Sequence, residues 1–204
     1  MKRDSMAYTV LFTFLVCVFF VFFLSLANES TKDRVASNRR LAERSAVLSA
    51  MGIPYTKDTI DTTYEKSVST VKASTGELYR ASVGGKNVYA QRFAGPGLWG
   101  TITIILAVDA PVEHLMGLQV VSHNETPGLG GRIDEPWFKT QFKDEKIGPQ
   151  GIRVVQGSGK GDKDPNNSQV DAVTGASRTS QSMEALVNRG IDDFRKAKNE
   201  GVLQ

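Results

Sequence analysis

The N-terminal stretch limits what this chain can fold into more than any other part of it. Residues 7–27 form a run of 21 residues without a charge, dominated by Phe, Val and Leu. About 20 such residues span the apolar core of a bilayer as a helix. A signal-peptide apolar region is shorter, about 7–15 residues, so the length favours an uncleaved anchor. The alternative is a cleaved signal peptide, since Ser25-Leu26-Ala27 fits a small-x-small cleavage site.

Basic residues lie on both sides of this run, so the rule that cytoplasmic flanks carry excess Lys and Arg does not decide its orientation. They are Lys2 and Arg3 before the run and Lys32, Arg34, Arg39 and Arg40 after it. The whole chain of 204 residues has a net charge of only +3, with both signs interspersed. This balance gives no support to nucleic-acid binding.

Residues after the apolar run predict one linker helix and one folded domain. Residues 30–51 have a helical pattern, which Gly52 and Pro54 would end. We therefore expect a transmembrane anchor over residues 1–29, a juxtamembrane linker helix within residues 30–55 and a single domain over residues 56–204.

Short extended runs separated by turn residues predict a mostly antiparallel sheet flanked by helices, which is an α+β fold. The expected strands are 67–71, 78–83, 87–93, 98–108, 116–122 and 152–155. The 98–108 run is β-branched and apolar, as is typical of a central buried strand, and 116–122 is its expected hairpin partner. The expected helices are a short one at 136–142 and an amphipathic one at 180–198.

Residues 171–180, Asp-Ala-Val-Thr-Gly-Ala-Ser-Arg-Thr-Ser, lie between a polar loop at 157–168 and this amphipathic helix. Four hydroxyl side chains therefore crowd a helix N-terminus, those of Thr174, Ser177, Thr179 and Ser180. Hydroxyls there commonly cap free backbone N–H groups. The same N–H groups and the helix dipole also form an anion site. Two interpretations follow, a plain N-cap or a phosphate held at, or covalently attached to, the helix start.

Asp-x-x-Thr-Gly-Ala-Ser followed by x-Thr-Ser resembles the flavinylation motif of the FMN-binding domain family. In that family a flavin transferase uses FAD to join FMN, through a phosphoester, to the last hydroxyl residue of a Gly-Ala-Thr triplet. The matching position in this sequence is Ser177. Serine stands where the family usually has threonine, but both side chains carry an Oγ that can attack phosphorus.

Two further segments resemble the same family. Gly-Pro-Gly-Leu-Trp-Gly-Thr occupies residues 95–101, and His-Asn-Glu-Thr-Pro-Gly-Leu-Gly-Gly occupies residues 123–131. The family includes the C subunit of the Na⁺-translocating NADH:quinone oxidoreductase and the G subunit of the Rnf electron transport complex. The Gly-Leu-Trp element and residues 41–52 are closer to the first of these two proteins.

The resemblance implies a single-pass protein of the inner membrane with its FMN-binding domain on the extracytoplasmic, periplasmic side. It implies an electron-transfer subunit, without an NADH site of its own, in an ion-translocating complex that reduces ubiquinone. The implied partners are the other subunits, the membrane and a flavin transferase during maturation. The G subunit of a ferredoxin:NAD Rnf complex is the alternative within the family.

The same resemblance implies which residues hold the FMN. Ser177 would carry the phosphoester, with Thr174, Gly175, Ala176, Thr179 and Ser180 around the phosphate. Leu98, Trp99, Thr126, Leu129 and Gly130 would contact the ring, because flavin sites combine apolar walls with close backbone N–H groups. Burial in the protein core is the competing interpretation for Trp99 and for Leu129.

Other chemistry receives no support from the sequence. His123 and Glu125 lie two residues apart and share one face of an extended segment, but zinc needs three or four ligands. We expect no metal there, and we expect both side chains to bond backbone of the loop. No P-loop, dinucleotide fingerprint or catalytic triad can be identified. Two other functions stay open, a non-redox membrane-tethered binding domain and a stand-alone extracytoplasmic flavin reductase.

Overall fold

The computed structural model describes residues 6–204, so Lys2 and Arg3 lie outside it. The chain divides by its internal contacts into two compact units, Met1–Leu41 and Ala42–Gln204. One helix, α1 (Met6–Ala50), continues across that division. The linker helix expected over residues 30–51 is therefore not a separate element but the C-terminal part of α1. The sequence between the two expected helices contains no signal that would end a helix, because residues 28–31 include neither Gly nor Pro.

The first unit contains the apolar part of α1, whose large side chains are exposed. Among the described residues, α1 is the one helix that is long and apolar enough to cross a membrane. An exposed apolar surface of this length is unfavourable in water. The segment therefore fits a membrane anchor.

The second unit is built on a five-stranded antiparallel sheet in the order β1-β2-β3-β4-β5. Its strands are β1 (Ser69–Ala73), β2 (Gly76–Val83), β3 (Lys86–Pro96), β4 (Thr101–Asp109) and β5 (Leu115–Ser122). Each strand pairs with the next along the chain, and β4 pairs with β5 as the sequence predicts. The expectation of a mostly antiparallel sheet flanked by helices is confirmed.

Strand β4 is buried on both faces of the sheet, which explains its continuous apolar sequence. Ile104, Leu106 and Val108 join the core cluster beneath the C-terminal helix, which spans Ser177–Asn199 and is the last helix of the chain. Ile105 and Ala107 point the other way and pack against the end of α1. The alternation follows from the two-residue period of a strand.

Short helices and a second small sheet complete the unit. A 3-10 turn, Lys57–Thr59, leads into α2 (Ile60–Ser67), and another 3-10 helix, Gly130–Asp134, precedes α3 (Pro136–Thr140); the C-terminal helix is α4 (Ser177–Asn199). The two-stranded sheet joins β6 (Arg153–Val155) and β7 (Gln169–Asp171) in parallel. Elements α2 and β7 were not predicted from the sequence, because one is short and weakly apolar and the other has only three residues.

Candidate functional site

Three loop segments that carry the sequence motifs meet at one buried carboxylate, that of Glu125. Its Oε1 accepts the backbone N–H groups of Leu98, at 2.9 Å, and Trp99, at 3.1 Å. Its Oε2 accepts the hydroxyl of Thr179, in the first turn of α4. One side chain therefore connects the turn after β3, the loop after β5 and the start of α4.

Two glycines leave the space that this carboxylate occupies. A Cβ added at Gly97 would lie 2.5 Å from Oε1 of Glu125. A Cβ added at Gly130 would lie 2.5 Å from Oγ1 of Thr179 and 2.8 Å from Oε2 of Glu125. Both distances are far below van der Waals contact, so any larger residue would force the segments apart. The Gly-Leu-Trp and Gly-Leu-Gly patterns are thus packing requirements of the site.

The three large apolar side chains beside this junction are exposed. The exposed fraction is 50% for Leu98, 68% for Trp99 and 48% for Leu129. Burial in the protein core is therefore the wrong interpretation for Trp99 and Leu129. Large apolar side chains left exposed in segments that meet at Glu125 favour a binding surface there.

The residues of the Thr-Gly-Ala-Ser motif lie next to this surface. Ser177 is the first residue of α4 and is exposed, as are Thr174 and Gly175. Gly175 has a φ of +79°, and a Cβ there would lie 3.5 Å from Cδ2 of Leu129. The Leu129 side chain therefore approaches the backbone immediately before Ser177. Thr126 contributes its carbonyl, which accepts the N–H groups of Leu129 and Gly131 and shapes the loop.

The four hydroxyls do not cap the helix, so the N-cap interpretation is wrong. Ala176 occupies the N-cap position, and no side-chain hydrogen bond caps α4. Ser180 is buried, and its hydroxyl accepts the N–H of Val173 at 3.1 Å. Thr179 is buried and donates to Glu125. The hydroxyls of Thr179 and Ser180 therefore form hydrogen bonds inside the protein, whereas Ser177 is exposed to solvent.

Asp171, at the start of the motif, anchors the polar loop beside it. Its Oδ2 accepts the Ser158 hydroxyl at 3.0 Å and the Gly159 N–H at 3.1 Å. The side chain of Gln141 bonds both the N–H and the carbonyl of Asp171. The loop at 157–168 is thus fixed against the motif at its N-terminal end.

A cleft of about 580 Å³ runs along α4 from the first turn. The end of β3 and the following turn form one wall, through residues 95–98, and the outward face of α4 forms the other. Two cationic side chains, Arg178 and Arg189, line it together with Gln181 and Ser182. This face was not predicted from the sequence, because the helical pattern shows only that these residues point away from the core.

The arrangement fits a bound flavin. A free hydroxyl at a helix N-terminus suits a phosphate, exposed apolar side chains suit the faces of a flat ring, and cationic side chains stand nearby. The described residues include no group of three or more His, Cys, Asp or Glu that could hold a metal ion. Glu125 instead bonds backbone, as expected, although the N–H groups belong to a different loop.

Residues 97–192 match the family model of the FMN-binding domain. This segment, which contains Leu98, Glu125, Leu129 and Ser177, is therefore similar to that family. The resemblance drawn from three short motifs is confirmed.

Individual proteins are also similar to this chain. The chain is 31% identical to the C subunit of the Na(+)-translocating NADH-quinone reductase of Yersinia pestis, over 65% of this chain and 53% of that protein. It is 34% identical to the G subunit of the proton-translocating ferredoxin:NAD(+) oxidoreductase complex of Clostridium ljungdahlii, over 57% of this chain and 58% of that one. The chain thus spans little more than half the length of these relatives.

A solved structure shares the fold. The crystal structure of Shewanella oneidensis NqrC superposes with a TM-score of 0.66, covering 80% of this chain and 98% of that chain. The two sequences are 20% identical over this alignment. The likeness extends beyond the family match and confirms the α+β architecture.

Proposed function

We propose that this protein is a membrane-anchored electron-transfer subunit that carries FMN attached to Ser177. The observation that supports it best is the exposed Ser177 hydroxyl, at a helix N-terminus and beside the exposed side chains of Leu98, Trp99 and Leu129. A plain binding domain has no need for a free hydroxyl at the position that the flavinylation motif marks.

Attachment requires one group transfer. The Ser177 Oγ attacks the phosphorus on the FMN side of the FAD anhydride, an Oγ–P bond forms, the anhydride bond breaks and AMP leaves. The hydroxyl proton is released, and no electron is transferred. The backbone N–H groups at the start of α4 and the positive end of its dipole would stabilise the phosphate charge. Arg178, the next residue along α4, adds a cation at the same place.

When bound, the flavin supplies reversible one-electron chemistry, and the protein supplies position and environment. Leu98, Trp99 and Leu129 would cover the ring and exclude water from its faces. Gly97 and Gly130 leave room for the Glu125 carboxylate, which bonds the backbone of Leu98 and Trp99. No side chain is required to act as an acid or base for electron transfer alone.

The partners in this proposal are the other subunits of an ion-translocating membrane complex, and a flavin transferase loads the domain on the extracytoplasmic side. The relatives of the chain include subunits of both NADH-quinone reductase and ferredoxin:NAD(+) oxidoreductase complexes. We favour the NADH:quinone reductase because its C subunit resembles this chain in the Gly-Leu-Trp element. In that complex other subunits would oxidise NADH and reduce quinone.

The test is intact-mass spectrometry of the protein produced together with a flavin transferase. The wild type should gain the mass of one FMN less one water, and its denatured gel band should fluoresce. Ser177→Ala should lose both signals, and Ser177→Thr should keep them. Ser182→Ala is the matched control, because Ser182 lies on the same helix beside the cleft. A label that persists in Ser177→Ala would disprove the attachment site.

A further inference from the structure

The contacts of Glu125 distinguish it from an ordinary core residue. Its carboxylate bonds the backbone of Leu98 and Trp99, whose own side chains are exposed. Ordering an exposed turn contributes little to a hydrophobic core. It does set the direction in which the two apolar side chains of that turn project.

The same carboxylate also reaches the helix that begins with Ser177. Thr179, its third partner, lies two residues after Ser177 and is buried. The Glu125 side chain therefore contacts both the helix turn that contains Ser177 and the Leu98–Trp99 turn whose side chains would cover the ring. No second side chain within residues 6–204 bonds both the Leu98–Trp99 backbone and the first turn of α4.

We propose that Glu125 is a positioning residue that holds the Leu98–Trp99 turn in register with the tether at Ser177, so that the ring lies against the turn. This inference rests on the proposed function. It assigns the carboxylate neither to a metal nor to proton transfer. The geometry of its three hydrogen bonds is what the site uses.

The Glu125→Gln variant separates geometry from charge. The amide carbonyl oxygen of the introduced side chain can accept the N–H groups of Leu98 and Trp99 as Oε1 does now. Its amide nitrogen can donate to the Thr179 hydroxyl, which can act as an acceptor as well as a donor. Glu125→Gln should therefore preserve the position of the turn, whereas Glu125→Ala removes all three bonds.

The experiment compares five full-length proteins loaded by a flavin transferase: the wild type, Glu125→Ala, Glu125→Gln, Thr179→Val and the control Glu184→Ala. Hydrogen exchange of the Leu98 and Trp99 amides is measured before and after loading, and flavin fluorescence and midpoint potentials are measured after loading. In Glu125→Ala the two amides should exchange about tenfold faster or more, because hydrogen bonds to a charged acceptor are lost. Flavin fluorescence should rise as the ring leaves the turn, and the midpoint potentials should move.

Two of these variants and one control make the result specific. Glu125→Gln should restore slow exchange and quenched fluorescence. Thr179→Val keeps the bonds to the turn but releases the helix, so it should raise fluorescence with little change in amide exchange. Glu184→Ala is the matched control, since Glu184 is also on α4 and its carboxylate accepts a backbone N–H, that of Val154 at 2.6 Å, away from the site. This control should match the wild type in fluorescence and potential.

The outcomes separate the two proposals. A wild type that takes no flavin overturns the proposed function, whatever the variants do. A wild type that is loaded, with Glu125→Ala equal to it in fluorescence, potential and amide exchange, overturns the positioning role alone. If Glu125→Ala does not fold, Thr179→Val decides the question, because unchanged flavin fluorescence in that variant also overturns the role.

Discussion

Leu98, Trp99 and Leu129 keep about half or more of their surface in contact with solvent, although each is large and apolar. Such residues add less to the stability of the free domain than buried residues of the same size do, because about half or more of their area stays in water. Their exposed apolar area is removed from water only when a ligand covers it, so its burial would stabilise the bound state. At the scale of single residues, this surface is therefore evidence for binding rather than for folding.

Replacing Leu129 by Ala tests this distinction. The free energy of unfolding of the flavin-free protein should change by no more than about 0.5 kcal/mol, as for other exposed positions. In the loaded protein the tether should remain, but roughly 1–3 kcal/mol of apolar contact would be lost, so the midpoint potentials should move. Denaturant unfolding and a redox titration measure the two effects.

Leu118→Ala provides the contrast for that experiment. Leu118 is buried in β5, so its truncation should cost about 2–5 kcal/mol of stability and leave the flavin potential unchanged. If Leu129→Ala destabilised the flavin-free protein as much as Leu118→Ala does, Leu129 would be a core residue.

Glu145 is a second buried carboxyl, and it predicts how stability depends on pH. Burial raises the pKa of Glu145 from 4.5 to about 7, the neighbouring Asp162 and Asp164 carboxylates also raise it, and the N–H groups of Ser168 and Gln169 act against the rise. A group whose pKa is higher in the folded state binds protons more tightly there. Stability should therefore fall as pH rises from about 4.5 to 7 and stay lower above that range.

The Glu145→Gln variant should lack this dependence. At pH 8 it should be more stable than the wild type by up to about 3 kcal/mol, at about 1.4 kcal/mol for each pKa unit, and near pH 4.5 the two should be alike. Denaturant unfolding at both pH values provides the comparison. Glu113→Gln, at an exposed position, is the control and should show no such difference. If the free energies of unfolding of Glu145→Gln and the wild type differed by the same amount at both pH values, the raised pKa of Glu145 would be contradicted.

The strands show which part of the fold the sequence determines locally. The apolar run at 98–108 was recognisable as a buried strand because both faces of the observed strand, β4, are buried. The expected bounds and central place were wrong, because β4 begins at Thr101 and lies beside the edge strand β5, while residues 98–100 form the turn before it. The site was predictable only in part. Motif resemblance indicated Ser177, Trp99 and Leu129, but the role of Glu125 depends on hydrogen bonds to residues 26 and 27 positions away along the chain. No local pattern encodes such contacts.

The end of α1 belongs structurally to the folded unit. Val47, Ala50 and Met51 are fully buried against the sheet face that contains Ile105 and Ala107. The fit is close, since a Cβ added at Gly117 would lie 2.6 Å from the carbonyl oxygen of Ala50. The expected division at residue 55 would remove this packing from the domain.

We therefore predict different stabilities for two fragments. A fragment of residues 42–204 should fold and unfold cooperatively. A fragment of residues 56–204 should lose on the order of 5 kcal/mol, because Val47, Leu48 and Met51 would each forgo about 1.5–3 kcal/mol of burial. Circular dichroism with denaturant measures both. Equal stabilities would show that the helix end packs on the sheet without stabilising it.

At the scale of the whole molecule, the proposed function draws on an anchor and a flavin-binding unit in one chain. The first unit contributes an apolar helix surface with no partner among the described residues, and a bilayer is the environment that such a surface requires. The second unit contributes a site whose parts all lie within residues 95–189. An electron carrier tethered in this way remains close to the redox centres of a membrane complex, which raises its effective concentration there.

The final prediction concerns the side of the membrane on which the domain lies. A reporter that is active only outside the cytoplasm, fused after Gln204, should be active, and a reporter that is active only in the cytoplasm should not. The protein should stay in the membrane after carbonate washing, because burying some 20 apolar residues in the bilayer makes release unfavourable. Deleting residues 7–27 should abolish both the reporter activity and the membrane association. Release of a mature chain that begins at Asn28 would instead establish a cleaved signal peptide, and activity of the cytoplasmic reporter would place the flavin domain on the opposite side.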